Sequence, residues 1–352
     1  MFRMFHNARD NALSSQLSAL GRSSSAITLL SLKPVQALTE EELKVLLQHY
    51  QAELLPPPVS TDGTTQVVQY AFHLGLMLTY GYNGSKIALE EGEYFMRLAA
   101  KIESQYNLFS MSGLCAKGWC YAQAIYPETG RRMAAPAADR ALKMYRAAQL
   151  LDELNQHETS EDDEESVYGQ DKTTQYAPLL FLLGDALCRA SIKVVKPHLL
   201  AWVDSHMTFL PAFHHDNDNA SVEIADHEQF NQGVQHLKQA AELYFPPALN
   251  LLADKYEKGL GVIQDMREAF EIHDFAVARS QSVYAMNALG RLCEVMSHSI
   301  GKTNRDALDW YRKAAKHGYT EGNIQDKITK LEAALGLQFE ANRTNQNCCA
   351  LM

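Results

Sequence analysis

Between Ala248 and Ala269 the chain reads ALNLLADKYEKGLGVIQDMREA, and this stretch limits the fold more than any other. Ala248, Leu252 and Tyr256 recur every fourth residue, which stacks them on one face of a helix. Ala253 beside them is small enough for a second helix to approach closely. Gly259 stands where a helix ends in the left-handed conformation, and Gly261 lets the turn tighten before Val262 returns to the core. Asp265 followed by Glu268 has the form of a capping box opening a second helix, whose inner face is Ala269, His273, Ala276 and Val277. The unit is an antiparallel helix pair.

A single pair cannot bury its own apolar face, so the unit must recur. It does so at once. Ala285, Leu289 and Gly290 repeat the first helix; Thr303 and Asp306 repeat the cap; Ala307, Tyr311, Ala314 and Ala315 form the inner stripe of the second helix. Lys313, Lys316 and His317 suit the negative C-terminal end of that helix, and Gly318 ends it.

The pattern LA-xx-Y-xx-G-x-GV-xx-D-xxx-A followed by WYRKAAKHG, between Pro247 and Tyr319, resembles the Sel1-like repeat, a relative of the tetratricopeptide repeat. Three degenerate copies precede it: Leu74-Gly75 with Leu98-Ala99-Ala100, Gly118 and Tyr121 with Tyr145 to Ala148, and Leu183-Gly184 with Leu237 to Ala241. The resemblance implies an all-α fold, a right-handed α-solenoid of about five Sel1-like or TPR-like helix pairs, and a protein-binding role.

The solenoid is expected over residues 39–338, starting at a capping box of Thr39 and Glu42 with Leu38 stapled onto Leu43. Leu43, Leu46, Leu47, Tyr50 and Leu54 form a first capping helix stopped by Pro56 to Pro58, and Ile324, Ile328, Leu331 and Leu335 form a closing one. Two insertions interrupt the period, near 155–172 and 190–230. The first holds the charge block Glu161 to Glu165, too self-repelling to pack, with Ser160 as a candidate phosphorylation site. The second carries Leu199, Val203, Met207 and Leu210 at the spacing of one extra amphipathic helix.

The net charge of -10 argues against a nucleic-acid partner, which would need clustered Lys and Arg. The uncharged run Thr64 to Ser85 includes Gln66, Gln69 and His73 and reads as a buried helix, not a membrane span. No secretory segment opens the sequence, so its six cysteines are expected to stay reduced, with Cys115, Cys120, Cys188 and Cys293 in the core. His206, His214, His215, Asp216, Asp218 and His227 are the densest candidate metal ligands, but their spacing fits neither a zinc site nor a calcium loop, and a surface loop is the better reading. No nucleotide fingerprint, nucleophile elbow or HExxH pair occurs, and His273 takes the place of Tyr311 as a core residue. The expectation is a non-enzyme without cofactor or metal.

Two addresses compete. Cys349-Ala350-Leu351-Met352 fits a CaaX box, which points to a farnesylated Cys349, with Cys348 as the palmitoylation site that a second membrane signal requires. Residues 1–38 are Ser-rich and carry Arg3, Arg9, Arg22 and Lys33 against Asp10 alone, the bias of a mitochondrial presequence or of a disordered basic segment. Residues 339–352 are expected to be a flexible tail. Sel1-like repeats with a CaaX end resemble fungal chitin-synthase activators and host-prenylated bacterial effectors, both implying a lipid-anchored adaptor. The leading expectation is a scaffold at a cytosolic membrane face, whose concave surface binds a protein, an integral-membrane one included, through exposed Asn250, Asp254, Lys255 and Arg291. A mitochondrial assembly or maturation factor and a metal-dependent enzyme using the histidine-rich insertion are the alternatives.

Overall fold

The computed structural model describes residues 38–53, 61–159, 172–194, 222–296, 301–320 and 323–336. Twelve helices run through them: α1 (Glu40–Glu53), α2 (Thr61–Tyr80), α3 (Leu89–Tyr106), α4 (Met111–Ala122), α5 (Ala138–Thr159), α6 (Lys172–Ala190), α7 (His227–Glu242), α8 (Pro246–Lys258), α9 (Met266–Ser280), α10 (Val283–Val295), α11 (Asn304–Lys316) and α12 (Ile324–Ala334). They pack as five antiparallel pairs, α2/α3, α4/α5, α6/α7, α8/α9 and α10/α11, with α1 and α12 closing the ends. The fold is an α-solenoid of five pairs with two capping helices.

The local signals explain the elements. Gly259 ends α8 at φ 66° and Gly261 continues the turn at φ 72°. Thr303 and Asp306 form a complete capping box at α11, and Thr39 and Glu42 exchange both bonds at α1. At α9 only half of the expected box is made: the Asp265 carboxylate accepts from the Arg267 and Glu268 amides, while the Asp265 amide donates to the Tyr256 carbonyl and leaves Glu268 exposed. The turn geometry supplies the partner that Glu268 was expected to supply.

Glycine and tyrosine set how closely the helices of a pair meet. A Cβ on Gly118 of α4 would lie 2.4 Å from the Tyr145 ring of α5, and one on Gly290 of α10 would lie 2.7 Å from the Tyr311 ring of α11. The degenerate second pair keeps the same ring-over-glycine contact as the well-patterned fifth.

The first helices of the pairs form an inner layer and the second helices an outer one. Tyr70 to Thr79 of α2, Ala177 to Gly184 of α6, Pro246 to Lys255 of α8 and Val283 to Gly290 of α10 are buried without interruption. A helix apolar on nearly every side is a buried helix, and Tyr70 to Tyr80 of α2, polar only at His73, Thr79 and the tyrosine hydroxyls, meets that description. The outer helices are amphipathic, with Ala99, Ala148, Ala240, Ala276 and Ala314 facing inward.

The array is also closed on itself. The loop after α2 reaches the fourth and fifth pairs: the Val283 amide donates to the Gly81 carbonyl at 2.9 Å, Asn83 to Ser280 at 2.6 Å, and Ile87 to His317 at 3.2 Å. Tyr82 stacks edge-on against Phe245, which packs on Phe181, itself edge-on to Tyr80. Regular solenoids join only neighbouring repeats. Here the first pair is joined to the last two.

The insertions differ from expectation at their borders. Helix α5 runs on to Thr159 and α6 begins at Lys172, so only 160–171 of the first insertion, with Ser160 and the acidic block, lies outside the described residues. The second is clamped at its base by an antiparallel ribbon, β1 (Ile192–Val194) with β2 (Val222–Ile224), where only helix and turn were expected. Its proposed amphipathic helix around Leu199 to Leu210 lies outside the described residues, as do residues 1–37 and the tail with Cys348 and Cys349. Among the described residues no helix is long and apolar enough to cross a membrane.

Candidate interaction surfaces

The four residues expected to line an open groove are not exposed. Asn250, Asp254 and Lys255 are buried, and Arg291 is largely covered. They belong to a polar seam between the inner helices of consecutive pairs. The Asn250 amide donates to the Ser282 hydroxyl at 2.7 Å, and Tyr284 donates to the Asp254 carboxylate at 2.6 Å. Arg291 forks onto both oxygens of Glu257. One pair further on, Asn287 donates to the Tyr319 hydroxyl at 3.1 Å, so two asparagines one repeat apart do the same work. Helix periodicity places Asn250, Asp254 and Lys255 away from the apolar face of α8, but it does not show that another inner helix covers their polar face.

Around Asp254 the seam gathers titratable groups. His273 of α9 lies fully buried with Nε2 at 3.9 Å from Asp254, and burial, only partly offset by that carboxylate, pulls its pKa down to about 4. Burial first and the Asp254 charge second push the Tyr284 phenol well up. Burial also lowers Lys255, whose ammonium lies 4.9 Å from the centre of the Phe230 ring, despite the nearby Cys188, Asp185 and Asp254. His273 is thus a neutral core residue, as its alignment with Tyr311 required.

Of the histidine-rich set only His227 is described, exposed in the first turn of α7; the other five positions lie outside the described residues. No three His, Cys, Asp or Glu side chains converge as metal ligands among the described residues. Cys115, Cys120, Cys188 and Cys293 are buried free thiols. Burial holds Cys188 and Cys293 up at about 11 and Cys120 at about 12, so none is a ready nucleophile.

The exposed surface with most binding character lies on the outer layer, where sequence reasoning had not looked. Tyr244, in the turn from α7 to α8, is 54% exposed, and its ring sits 5.6 Å from that of Phe275, which is 39% exposed on α9. The Arg279 guanidinium covers the Tyr244 ring at 4.9 Å. Tyr244 holds φ 58°, a left-handed backbone that is costly for an aromatic residue. The equivalent turns before α10 and α12 put Gln281 at φ 52° and Gly318 at φ 89° in that place. A tyrosine at a turn position that another copy fills with glycine was the signal available in the sequence.

No family model and no curated protein matches the chain. Among solved structures it is similar to a Sel1 repeat protein from Oxalobacter formigenes, at 16% identity and TM-score 0.38 over 85% of this chain and 98% of that one. It is also similar to a protective antigen of uropathogenic Escherichia coli with an SLR fold, at 14% identity and TM-score 0.34 over 84% and 57% of the two chains. A third similarity is to yeast Tom70, at 13% identity and TM-score 0.34 over 85% and 60%. The α-solenoid rests on the chain's own helix pairs.

Proposed function

We propose that the chain is a non-enzymatic adaptor, a degenerate Sel1-like array that holds a partner protein on its outer layer through Tyr244, Phe275 and Arg279. One observation carries the reading. A large aromatic is kept exposed, in a strained turn, with its ring flanked by a second aromatic and an arginine. Tyr and Arg dominate the residues on which protein interfaces depend, and backbone strain at an exposed side chain is a mark of function. The inner seam supports the choice of surface, because its polar groups are already engaged with one another.

The test begins by identifying a partner through proximity labelling and reconstituting the complex from purified proteins. Tyr244→Ala and Arg279→Ala should each weaken binding by roughly tenfold or more, about 1.4 kcal/mol, while leaving the melting temperature unchanged. Full affinity in both variants would move the interface elsewhere.

The adaptor is further proposed to be held at a cytosolic membrane face by prenylation of Cys349, with Cys348 or a membrane-bound partner as the second anchor. The basic bias of residues 1–38 favours a second reading, an imported mitochondrial assembly factor. An internally tagged protein separates the two. Loss of membrane association in Cys349→Ser supports the lipid anchor, whereas mitochondrial signal abolished only by deletion of residues 1–38 supports import.

A further inference from the structure

The closure between the first pair and the last two has the form of a segment bound to a receptor. Residues 81–88 cross three successive turns, each lying between an outer helix and the next inner one. Tyr82, only 7% exposed, meets Phe245 before α8. Gly81 and Asn83 bond to Val283 and Ser280 around the start of α10, and Ile87 bonds to His317 before α12. The contact is close: a Cβ on Gly81 would lie 3.0 Å from Val283, and one on Gly318 would lie 3.1 Å from the Ile87 carbonyl. A row of turns repeating once per pair is a natural receptor for a segment, and main-chain bonds supply its affinity.

The first pair also has a hinge. Between α3 and α4 run only Asn107 to Ser110, and two of these hold left-handed backbone: Asn107 at φ 50° and Phe109 at φ 51°. Phe109 is 69% exposed, so no buried contact accounts for its conformation. Beside the hinge the Glu103 carboxylate accepts from both the Ser110 amide and its hydroxyl, at 2.7 Å for the latter. Short hinges under strain invite exchange of the element they carry between two copies.

We infer that the three-turn row is an interaction surface whose second occupant is the same loop of another copy, so that the first pair is exchanged between two chains through the Asn107–Ser110 hinge. Complementarity is already given, because whatever fits within one chain fits between two. In the exchanged dimer the bonds of Gly81, Asn83 and Ile87 re-form across the copies, as do those between Glu103 and Ser110. Only the hinge changes, and extending it releases the left-handed turn at Phe109. This inference rests on the closure contacts and not on the Tyr244 patch or the lipid anchor.

A cross-linking experiment decides it. A Cβ on Gly318 would lie 3.5 Å from that of Lys86, within the range for a disulfide. In a background with Cys348→Ser and Cys349→Ser, one chain carrying Lys86→Cys is mixed at high concentration with another carrying Gly318→Cys, and then oxidised. Exchange predicts a covalent heterodimer several-fold above either homodimer, enhanced when Phe109→Pro stiffens the hinge toward an extended backbone. Both substitutions in one chain give the control, an intrachain bond at low concentration. An intrachain bond without a heterodimer overturns the exchange; absence of both overturns the closure itself. Either result leaves the partner-binding test on Tyr244 standing.

Discussion

Helices α2 and α8 occupy equivalent inner positions and are buried to the same degree, yet they are buried by different means. From Thr64 to Tyr80 α2 carries no charged side chain, and its contacts are the packing of Val67, Val68, Leu74, Leu76 and Leu78. Within one turn α8 buries Asp254, Lys255 and Glu257. An apolar inner helix needs only neighbours of the right volume. A polar one needs particular partners, because a desolvated charge must find its counterpart on a neighbouring helix, as Glu257 does in Arg291 of α10. The first kind of helix tolerates drift in the repeat, and the second holds the repeat in register. This matches where the repeat pattern is degenerate and where it is kept.

The sharpest way to break the comparison is at Asp254. Asp254→Ala strands the buried Tyr284 hydroxyl, so unfolding in urea should show a loss of about 1–3 kcal/mol. Asp254→Asn keeps an acceptor for Tyr284 and should cost less than the alanine. A loss below about 1 kcal/mol in Asp254→Ala would mean that the seam does not hold the fourth and fifth pairs together.

The described residues bury two histidines, His73 on α2 and His273 on the outer helix α9, and pH tests them side by side. His73 lies on α2 with neither ring nitrogen hydrogen-bonded among the described residues, and burial lowers its pKa to about 4; His273 faces the seam and is also lowered to about 4. Both stand at 6.5 when the chain is unfolded. Below pH 6.5 the unfolded chain therefore binds protons that the folded chain refuses until about pH 4. The stability is fully present above 6.5 and is lost as the pH falls through that window. Between pH 6.5 and 5 each histidine should remove about 2 kcal/mol, and His73→Leu should halve the slope of stability against pH. An unchanged slope would assign the pH dependence to other groups.

Much of this architecture was legible because it is local. Gly259, Thr303 with Asp306, and the alanine stripes of the outer helices act within a few residues of themselves, and the helix pairs follow from them. The partners of the seam are another matter. Asp254 meets Tyr284 and Glu257 meets Arg291 some thirty residues away, so periodicity within α8 separated an apolar face from a polar one and sent the polar face to solvent. Asn250 and Asn287, at the same place in consecutive copies, held the contrary signal. The closure by residues 81–88 left no trace in periodicity, since it is made chiefly by main-chain groups that every residue carries. The ribbon of Ile192–Val194 with Val222–Ile224 was too short to show a strand period.

Glycine contacts give a smaller effect of the same kind. In Gly290→Ala the new methyl meets the Tyr311 ring at 2.7 Å, and that ring is fully buried with its hydroxyl tied to Glu294. The ring cannot swing away, so a loss of about 1–3 kcal/mol is expected by thermal unfolding. In Gly75→Ala on α2 the methyl meets the Met96 Cγ at 2.7 Å and the Met96 backbone nitrogen at 3.0 Å, so a change of rotamer in that unbranched chain relieves the first contact and not the second. The gain in helix propensity, up to about 1 kcal/mol, should offset much of that clash. Equal losses at the two sites would erase the distinction between a soft apolar inner layer and a fixed polar one.

The least effect is expected from an ion pair of the outer surface, which shares its chemistry with the seam but not its burial. Arg312 of α11 donates to Glu332 of α12 at 2.8 Å, with the arginine side chain about half exposed. Water solvates both groups when the pair is broken, so nothing is stranded, and the Coulomb gain is screened by salt. Arg312→Ala should therefore cost less than about 1 kcal/mol, and the loss should shrink further in molar salt. Arg291→Ala, by contrast, leaves Glu257 without its fork inside the seam, and added salt cannot reach it to compensate. Measuring both variants at low and high ionic strength isolates burial as the variable, since the two pairs are otherwise the same arginine and glutamate. If both losses fall together with salt, the Glu257 pair is as accessible to solvent as the outer one, and the inner layer of the fourth and fifth pairs is open in solution.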